Sequence, residues 1–264
     1  MIKIKPSVAD LDISEKRRKD IVEEVSKSFF DTAIGRKIVD VEYTQANNSF
    51  RRIGVNIILD KVFVVDIPSS RIQDTYYSHE GLGSKVGREI ALSETKMVVD
   101  SILSIEFSED NVIERPKEWR ENDLLAAMKR LEERNQRCDS ILTSISDQKV
   151  FWLSEFKFFK WVGDRTKSTF GLEGHFKDVP VYWSNYVPDG TIMFLNKGVG
   201  TLLVKKDIST QILKLQEEEF GKIEKDFTQF RGEELREKVR MVAEELVTFQ
   251  PKTREAVVIS KSIV

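Results

Sequence analysis

The side chains that could do chemistry in this 264-residue chain are few and far apart. Two histidines, His79 and His175, and one cysteine, Cys138, are its whole stock of imidazole and thiol. The histidines lack the i, i+4 spacing that places two imidazoles on one helical face around zinc. One cysteine cannot build a thiolate cluster, so a tetrahedral site would have to be completed by carboxylates. Cys138 and His175 are a conceivable nucleophile and base, yet one residue of each type at this separation specifies no reaction. Cys138 reads first as a small buried hydrophobe beside a strand. Gly81 to Gly87, GLGSKVG, has neither phosphate-loop spacing nor a preceding strand, and reads as a flexible turn before a helix. Glu217 to Glu219 suit a solvated face, with a divalent cation or a basic neighbour as the alternatives. The expectation is therefore a chain that is not an enzyme and needs no cofactor or metal. A hydrolase around Cys138 and His175, or a carboxylate metalloenzyme, is the distant alternative.

What remains is a chain built to fold. It is 40% apolar with 16 Phe and 4 Trp, enough for a sizeable core, and its length fits one elaborated unit, since single cores stop growing near ~250–300 residues. No apolar run approaches the ~18 residues of a membrane span, and the opening MIKIKPSVADLDISEKRRKD lacks the apolar centre of a secretory signal. A formal net charge of −2 argues against a dedicated nucleic-acid binder but leaves room for a locally basic face. Lys16, Arg17, Arg18 and Lys19 are that candidate: clustered cations release counterions from a phosphate backbone, and the simpler reading is a solvated helix face.

The elements follow from pattern. Residues 1–13 alternate Lys and Ile around Pro6 with no helical period, an extended arm. Asp12 and Glu15 have capping-box spacing, with Ser14 another N-cap candidate, ahead of a helix carrying Ile21, Val22, Val25, Phe29 and Ile34 and stopped by Gly35. A short strand IVDVE follows. Two β-rich runs, IGVNIIL and VFVVDIP, flank Asp60 and Lys61 and predict a hairpin apolar on both faces, which needs covering by its own domain or by a neighbour. Residues 71–85 read as irregular and Val86 to Phe107 as a long helix. A clearer helix capped by Asn122 or Asp123 carries Leu124, Leu125, Met128 and Leu131, followed by a strand SILTS. The rings of Phe151 to Trp161 read as core. Three β-rich runs over residues 179–206, separated by Pro188-Asp189-Gly190 and Asn196-Lys197-Gly198, predict an antiparallel meander. Glu233 to Leu246 has helical spacing, and LVTFQ and EAVVISKSI are final strands joined through Pro251.

The order of these elements, with several local segments, resembles the Hong Kong 97 fold of tailed-virus major capsid proteins and encapsulin shells. GRKIVDVE at Gly35 to Glu42 is similar to the region after the N-terminal helix of encapsulins. NDLLAAMKRLEERNQRCDSIL at 122–142 resembles a helix and strand of the axial domain. GHFKDVPVYWSNYVPDG at Gly174 to Gly190 is similar to a segment of viral capsid proteins, and VRMVAEELVTFQPKTREAVVI to a strand, Pro, basic residue and strand ending seen in both groups. The resemblance implies an α+β chain: an N-terminal arm and first helix over 1–50, an extended β-hairpin loop over 51–84, a peripheral domain with a spine helix over 85–118 and 201–264, and an axial domain over 119–200. It implies a self-assembling icosahedral shell of pentamers, with or without hexamers. The expected role is major capsid protein of a tailed double-stranded-DNA virus, found in the virion after assembly in host cytoplasm; the alternative is a cytoplasmic encapsulin enclosing an enzyme cargo. Intersubunit contacts are then expected at Ile57, Leu59, Asp60, Lys61, Val62 and Val64, and luminal contacts with packaged DNA at Lys16, Arg17, Arg18 and Lys19.

Overall fold

A computed structural model describes residues 15–45, 49–59, 63–67, 72–74, 82–115, 119–144, 158–161, 172–214 and 239–262. Its helices are α1 (Glu15–Thr32), the short α2 (Gly35–Ile38), α3 (Leu82–Leu103) and α4 (Glu121–Glu132). Its strands are β1 (Asp40–Tyr43), β2 (Arg51–Leu59), β3 (Phe63–Ile67), β4 (Ile72–Asp74), β5 (Val112–Arg115), β6 (Ser140–Ser144), β7 (Phe159–Trp161), β8 (Leu172–Phe176), β9 (Val179–Ser184), β10 (Thr191–Leu195), β11 (Gly200–Lys214), β12 (Val239–Pro251) and β13 (Val257–Ser262). Two compact units are interleaved along the chain: Met1–Phe30, Arg52–Ile90 and Lys206–Leu246 in the first, and Asp31–Arg51, Ala91–Lys205 and Val247–Val264 in the second.

In the first unit, α1 lies against the opening turns of α3. Ile21, Val25 and Phe29, four residues apart on one stripe, are fully buried, as are Leu82, Val86 and Ile90 of α3 or nearly so. Two glycines set the separation of the helices. A Cβ on Gly83 would stand 2.6 Å from the carbonyl oxygen of Ile21, and one on Gly87 would stand 2.2 Å from that of Val25. The Ser28 hydroxyl donates to the carbonyl of Ser84 at 2.6 Å along the same crossing. GLGSKVG, expected as a flexible turn, thus supplies from Leu82 onward the first two turns of α3, where the i, i+4 glycines let two backbones meet. The strands of this unit run in the order β11, β12, β2, β3, β4. The short β4 lies in the stretch expected to be irregular.

The second unit is organised by a seven-stranded mixed sheet in the order β5, β13, β10, β6, β9, β8, β7. Helix α4 covers it, burying Leu124, Ala127, Met128 and Leu131 against Ile141, Val181, Phe194 and Val258. The N-cap is Arg120, two residues before Asn122 and three before Asp123, and Asp123 accepts its backbone N–H at 3.1 Å. Two of the three runs expected as a meander enter this sheet, but β6 separates β9 from β10, and the third run, β11, pairs with β1 in parallel. Both separators are turns, Gly190 adopting φ 72°; a turn reverses the chain without fixing which strand it then pairs with. Asn111, itself buried, donates to the carbonyls of Arg254 and Val257 at 2.7 and 2.8 Å, and so holds the start of β13 beside β5.

Residues 239–246 correct a helix expectation. They belong to β12, where Met241, Ala243, Glu245, Val247 and Phe249 alternate as the buried set. A carboxylate at the centre of that set disguises the period of two, while Val239, Val242 and Leu246 imitate one of 3.6.

Gly35 does not cap α1, which ends at Thr32, but opens α2 at an elbow against α3. Its N–H donates to the Thr95 hydroxyl at 3.2 Å, and a Cβ there would meet a methyl of Val98 at 3.2 Å. Beside it, Arg36 Nε donates to Glu94 Oε2 at 2.8 Å with side-chain exposures of 9% and 0%. Removing one partner of so buried a pair costs roughly 3–5 kcal/mol, whereas apolar replacement of both is close to neutral. Arg36→Ala is accordingly expected to lower the denaturation midpoint sharply, and Arg36→Met with Glu94→Leu to restore most of it. An Arg36→Ala midpoint equal to wild type would refute this role.

Candidate assembly surface

The hairpin expected around Asp60 and Lys61 is present as β2 and β3, antiparallel, with Gly54 opposite Ile67, Val55 opposite Asp66, Asn56 opposite Val65, Ile57 opposite Val64 and Ile58 opposite Phe63. Residues directly opposite share a face, and faces alternate along each strand. By sequence alone, both alternating sets of the two runs are rich in apolar residues: Ile53, Val55, Ile57, Leu59 and Val64 in one, Ile58, Phe63, Val65 and Ile67 in the other. Of the residues expected at subunit contacts, Ile57 and Val64 stand opposite one another in the register and Leu59 ends β2. Asp60, Lys61 and Val62 lie outside the described residues. Sequence reading missed β4, which pairs with β3 through Phe63–Asp74, Val64–Gln73 and Val65–Ile72 and makes the ribbon three-stranded. Three residues with polar Gln and Asp give too short a pattern to find.

The ribbon is rooted in β12. Ile53 and Val55 are buried, and between them Gly54 approaches β12 so closely that a Cβ would stand 2.5 Å from the carbonyl oxygen of Ala243. Next along β12, Glu244 meets Arg52 of β2 at 3.5 Å and Lys206 of β11 at 3.0 Å. The cations are 56% and 41% exposed, so these pairs give alignment more than stability.

Lys16, Arg17, Arg18 and Lys19 fall in the first turns of α1, where Lys19 is exposed. Cys138 is 4% exposed in the core under α4, its thiol near the carbonyl of Ser140. Burial first, with Asp139 and Glu132 adding to it, pushes this thiol up to about 12 against the lowering effect of nearby backbone hydrogen bonds. A neutral buried thiol is no nucleophile. His175 sits on β8 opposite Lys160 and Pro180, outside the cluster that holds Cys138. His79 and Glu217 to Glu219 lie outside the described residues; among the described ones no three His, Cys, Asp or Glu gather as metal ligands, and no helix is long and apolar enough to cross a membrane. Of the aromatic stretch expected in the core, Phe159 packs against the α4 cluster, Phe158 is 44% exposed, and 151–157 lie outside the described residues.

No protein-family model matches the sequence, and no curated protein does. A virus-like particle from Pyrococcus furiosus matches in structure over 95% of this chain and 100% of that one, with a TM-score of 0.52 at 14% identity. The chain has the Hong Kong 97 fold. More distant likenesses include Microbacterium phage Oxtober96, over 88% of this chain and 91% of that one with a TM-score of 0.49 at 8% identity, and an encapsulin complex from Synechococcus elongatus, over 98% and 92% with a TM-score of 0.45 at 11% identity. At such identities the Hong Kong 97 fold is recognised by its path through space and not by residues kept in place.

Two measurements follow. Gly54→Val forces a side chain against the backbone of β12 and is expected to cost about 1–3 kcal/mol, read as a lower denaturation midpoint, since overpacking has that magnitude; an unchanged midpoint contradicts the close approach. For Cys138, the folded state keeps a proton that the unfolded thiol releases above about 9, so this group's contribution to stability is lost as pH rises from 9 toward 12. Native protein should alkylate far more slowly than unfolded protein at pH 9, and equal rates would overturn the burial.

Proposed function

We propose that this chain is a structural protein, not an enzyme, that assembles with copies of itself into a closed icosahedral shell of pentamers, with or without hexamers. The observation that supports the reading is the β2–β3 pairing of two runs whose sequences are apolar at both alternating positions. An apolar edge exposed on a free protomer is an aggregation hazard, and closed symmetry disposes of it by matching one surface patch to another until none is left over. The Hong Kong 97 fold and the buried neutral thiol of Cys138 support the same reading. Residues 51–84 act in it as the extended loop, 119–200 as the axial domain, 85–118 and 201–264 as the peripheral domain, and 1–50 as arm and first helix.

The particle is that of a tailed double-stranded-DNA virus, found in the virion, with the genome as contents. The segment Gly174 to Gly190 supports that choice over an encapsulin shell. Lys16, Arg17, Arg18 and Lys19 then make weak, sequence-independent luminal contacts with DNA, sufficient because many copies multiply them.

Electron microscopy and sedimentation of the purified chain decide the main point: closed particles of megadalton mass are expected, and a stable monomer across concentrations would sink it. Glu at Val62 and Val64 should leave the protomer folded and abolish particles, because unpaired charges cannot be buried at a contact without a penalty of several kcal/mol; normal assembly would clear the ribbon of this role. Replacing Lys16 through Lys19 by Gln should lower the nucleic-acid content of the particles. Native particles are expected to hold DNA, and an enzyme cargo in its place would make them encapsulins.

A further inference from the structure

We propose that Asp189 is a site of spontaneous isoaspartate formation, a backbone modification that the fold permits here and resists at its two Asp-Ser pairs. Asp189–Gly190 is the one Asp-Gly pair in the sequence, and no Asn-Gly occurs. In such a pair the backbone nitrogen of Gly attacks the carboxyl carbon of the preceding side chain with no Cβ in its way. The new C–N bond closes a five-membered succinimide, and the hydroxyl of the protonated carboxyl leaves with the amide proton as water. Water then adds to a carbonyl of the ring. Opening at the main-chain carbonyl breaks its bond to nitrogen, so the chain runs on through Cβ and Cγ and a free α-carboxylate is left. One water is lost and one regained, with no oxidant or co-reactant.

The turn around the pair supplies the freedom. The N–H of Thr191 donates to the carbonyl of Pro188 at 3.2 Å, which makes Pro188–Thr191 a β-turn with Asp189 and Gly190 at its centre. Gly190 has φ 72° and Asp189 is not among the residues of positive φ, so the turn is type II. Ring closure requires the peptide between them to rotate until its nitrogen lies under the Asp189 carboxyl group. The compensating rotation falls on φ of Gly190, where a residue without Cβ accepts it. Val187 and Thr191 are buried on either side and anchor the turn, while Pro188 and Asp189 are exposed. The product is tolerated for a topological reason. β9 and β10 are not partners, since β6 stands between them, so an extra main-chain carbon in their connection shifts no register, as it would in a tight hairpin. At the Asp-Ser pairs the reacting groups are held. Asp139 Oδ2 accepts from Asn196 Nδ2 and from the backbone N–H of Lys197 at 3.0 Å each, and Ser140 opens β6. Asp100 meets Lys96 within α3, and Ser101 continues that helix.

The test is to hold the purified full chain for weeks in warm neutral buffer and digest it beside a fresh sample. Isoaspartyl methyltransferase with labelled S-adenosylmethionine then reports the modified residue, and electron-transfer fragmentation locates it. Label should grow with time in the peptide holding Asp189, several-fold above that at Asp100 and Asp139. It should be lost from that peptide in Asp189→Glu, whose longer side chain would have to close a six-membered ring. Asp189→Asn should reach the same isoaspartate faster, releasing ammonia and gaining mass. Aged and fresh wild type should share one denaturation midpoint. No label at residue 189, or as much at Asp100 or Asp139, overturns the site. A midpoint that falls on ageing in wild type and not in Asp189→Glu overturns the tolerance of the turn. The shell reading stands or falls on particles and is untouched by either result.

Discussion

Two paired strand runs apolar at both alternating positions, Ile53 to Leu59 and Phe63 to Ile67, cannot be finished by pairing with each other. Burial of such a surface is worth roughly 25 cal/mol per Å², and a hairpin alone is marginal in water, so the fold must anchor the ribbon at one end and leave its completion to something else. Gly54 provides the anchor by allowing β2 to press on β12, and Glu244 aligns three strands there through Arg52 and Lys206. Beyond that root, the register continues the same apolar pattern to Leu59 on one strand and from Phe63 on the other.

The Gly83 and Gly87 crossing brings the backbones of α1 and α3 into contact, and the Arg36–Glu94 pair with the Gly35–Thr95 hydrogen bond pins the elbow that follows α1 to the second half of α3. A buried ion pair adds little net stability but is unforgiving of error, so it specifies one geometry for the turn out of the helix. The segment GRKIVDVE is explained by contacts: Gly for closeness, Arg for the buried Glu94, and DVE for the start of β1.

How much of this was legible depended on whether a signal was local. The β2–β3 hairpin, α4 with Leu124, Met128 and Leu131, and the strand SILTS are legible because they are written in residues near one another; α3 is legible as a helix, but it runs over Leu82–Leu103 and not Val86 to Phe107, since its glycine-bearing first turn carries no apolar stripe. Pairing is not local. PDG and NKG are good turns, yet β9, β10 and β11 separate into different neighbourhoods because β6 and β1, from elsewhere in the chain, take the positions beside them. The strand over 239–246 was hidden by buried Glu245, and the function of Gly83 and Gly87 could be seen only once α1 lay beside them. A spacing of four between glycines within a helical stretch is the signal that could have revealed that crossing. For the thiol, burial accounts for both its silence as chemistry and its usefulness as packing.

Hydrogen exchange of the ribbon amides, residues 51–59 and 63–67, compared between intact particles and dissociated protomers, tests the central claim most directly. The account predicts that amides under α4, in β6 and β10, are protected in both states, whereas those of the ribbon beyond its root at Gly54 gain protection only in the particle. Ribbon amides as slow in the isolated protomer as in the shell would contradict it.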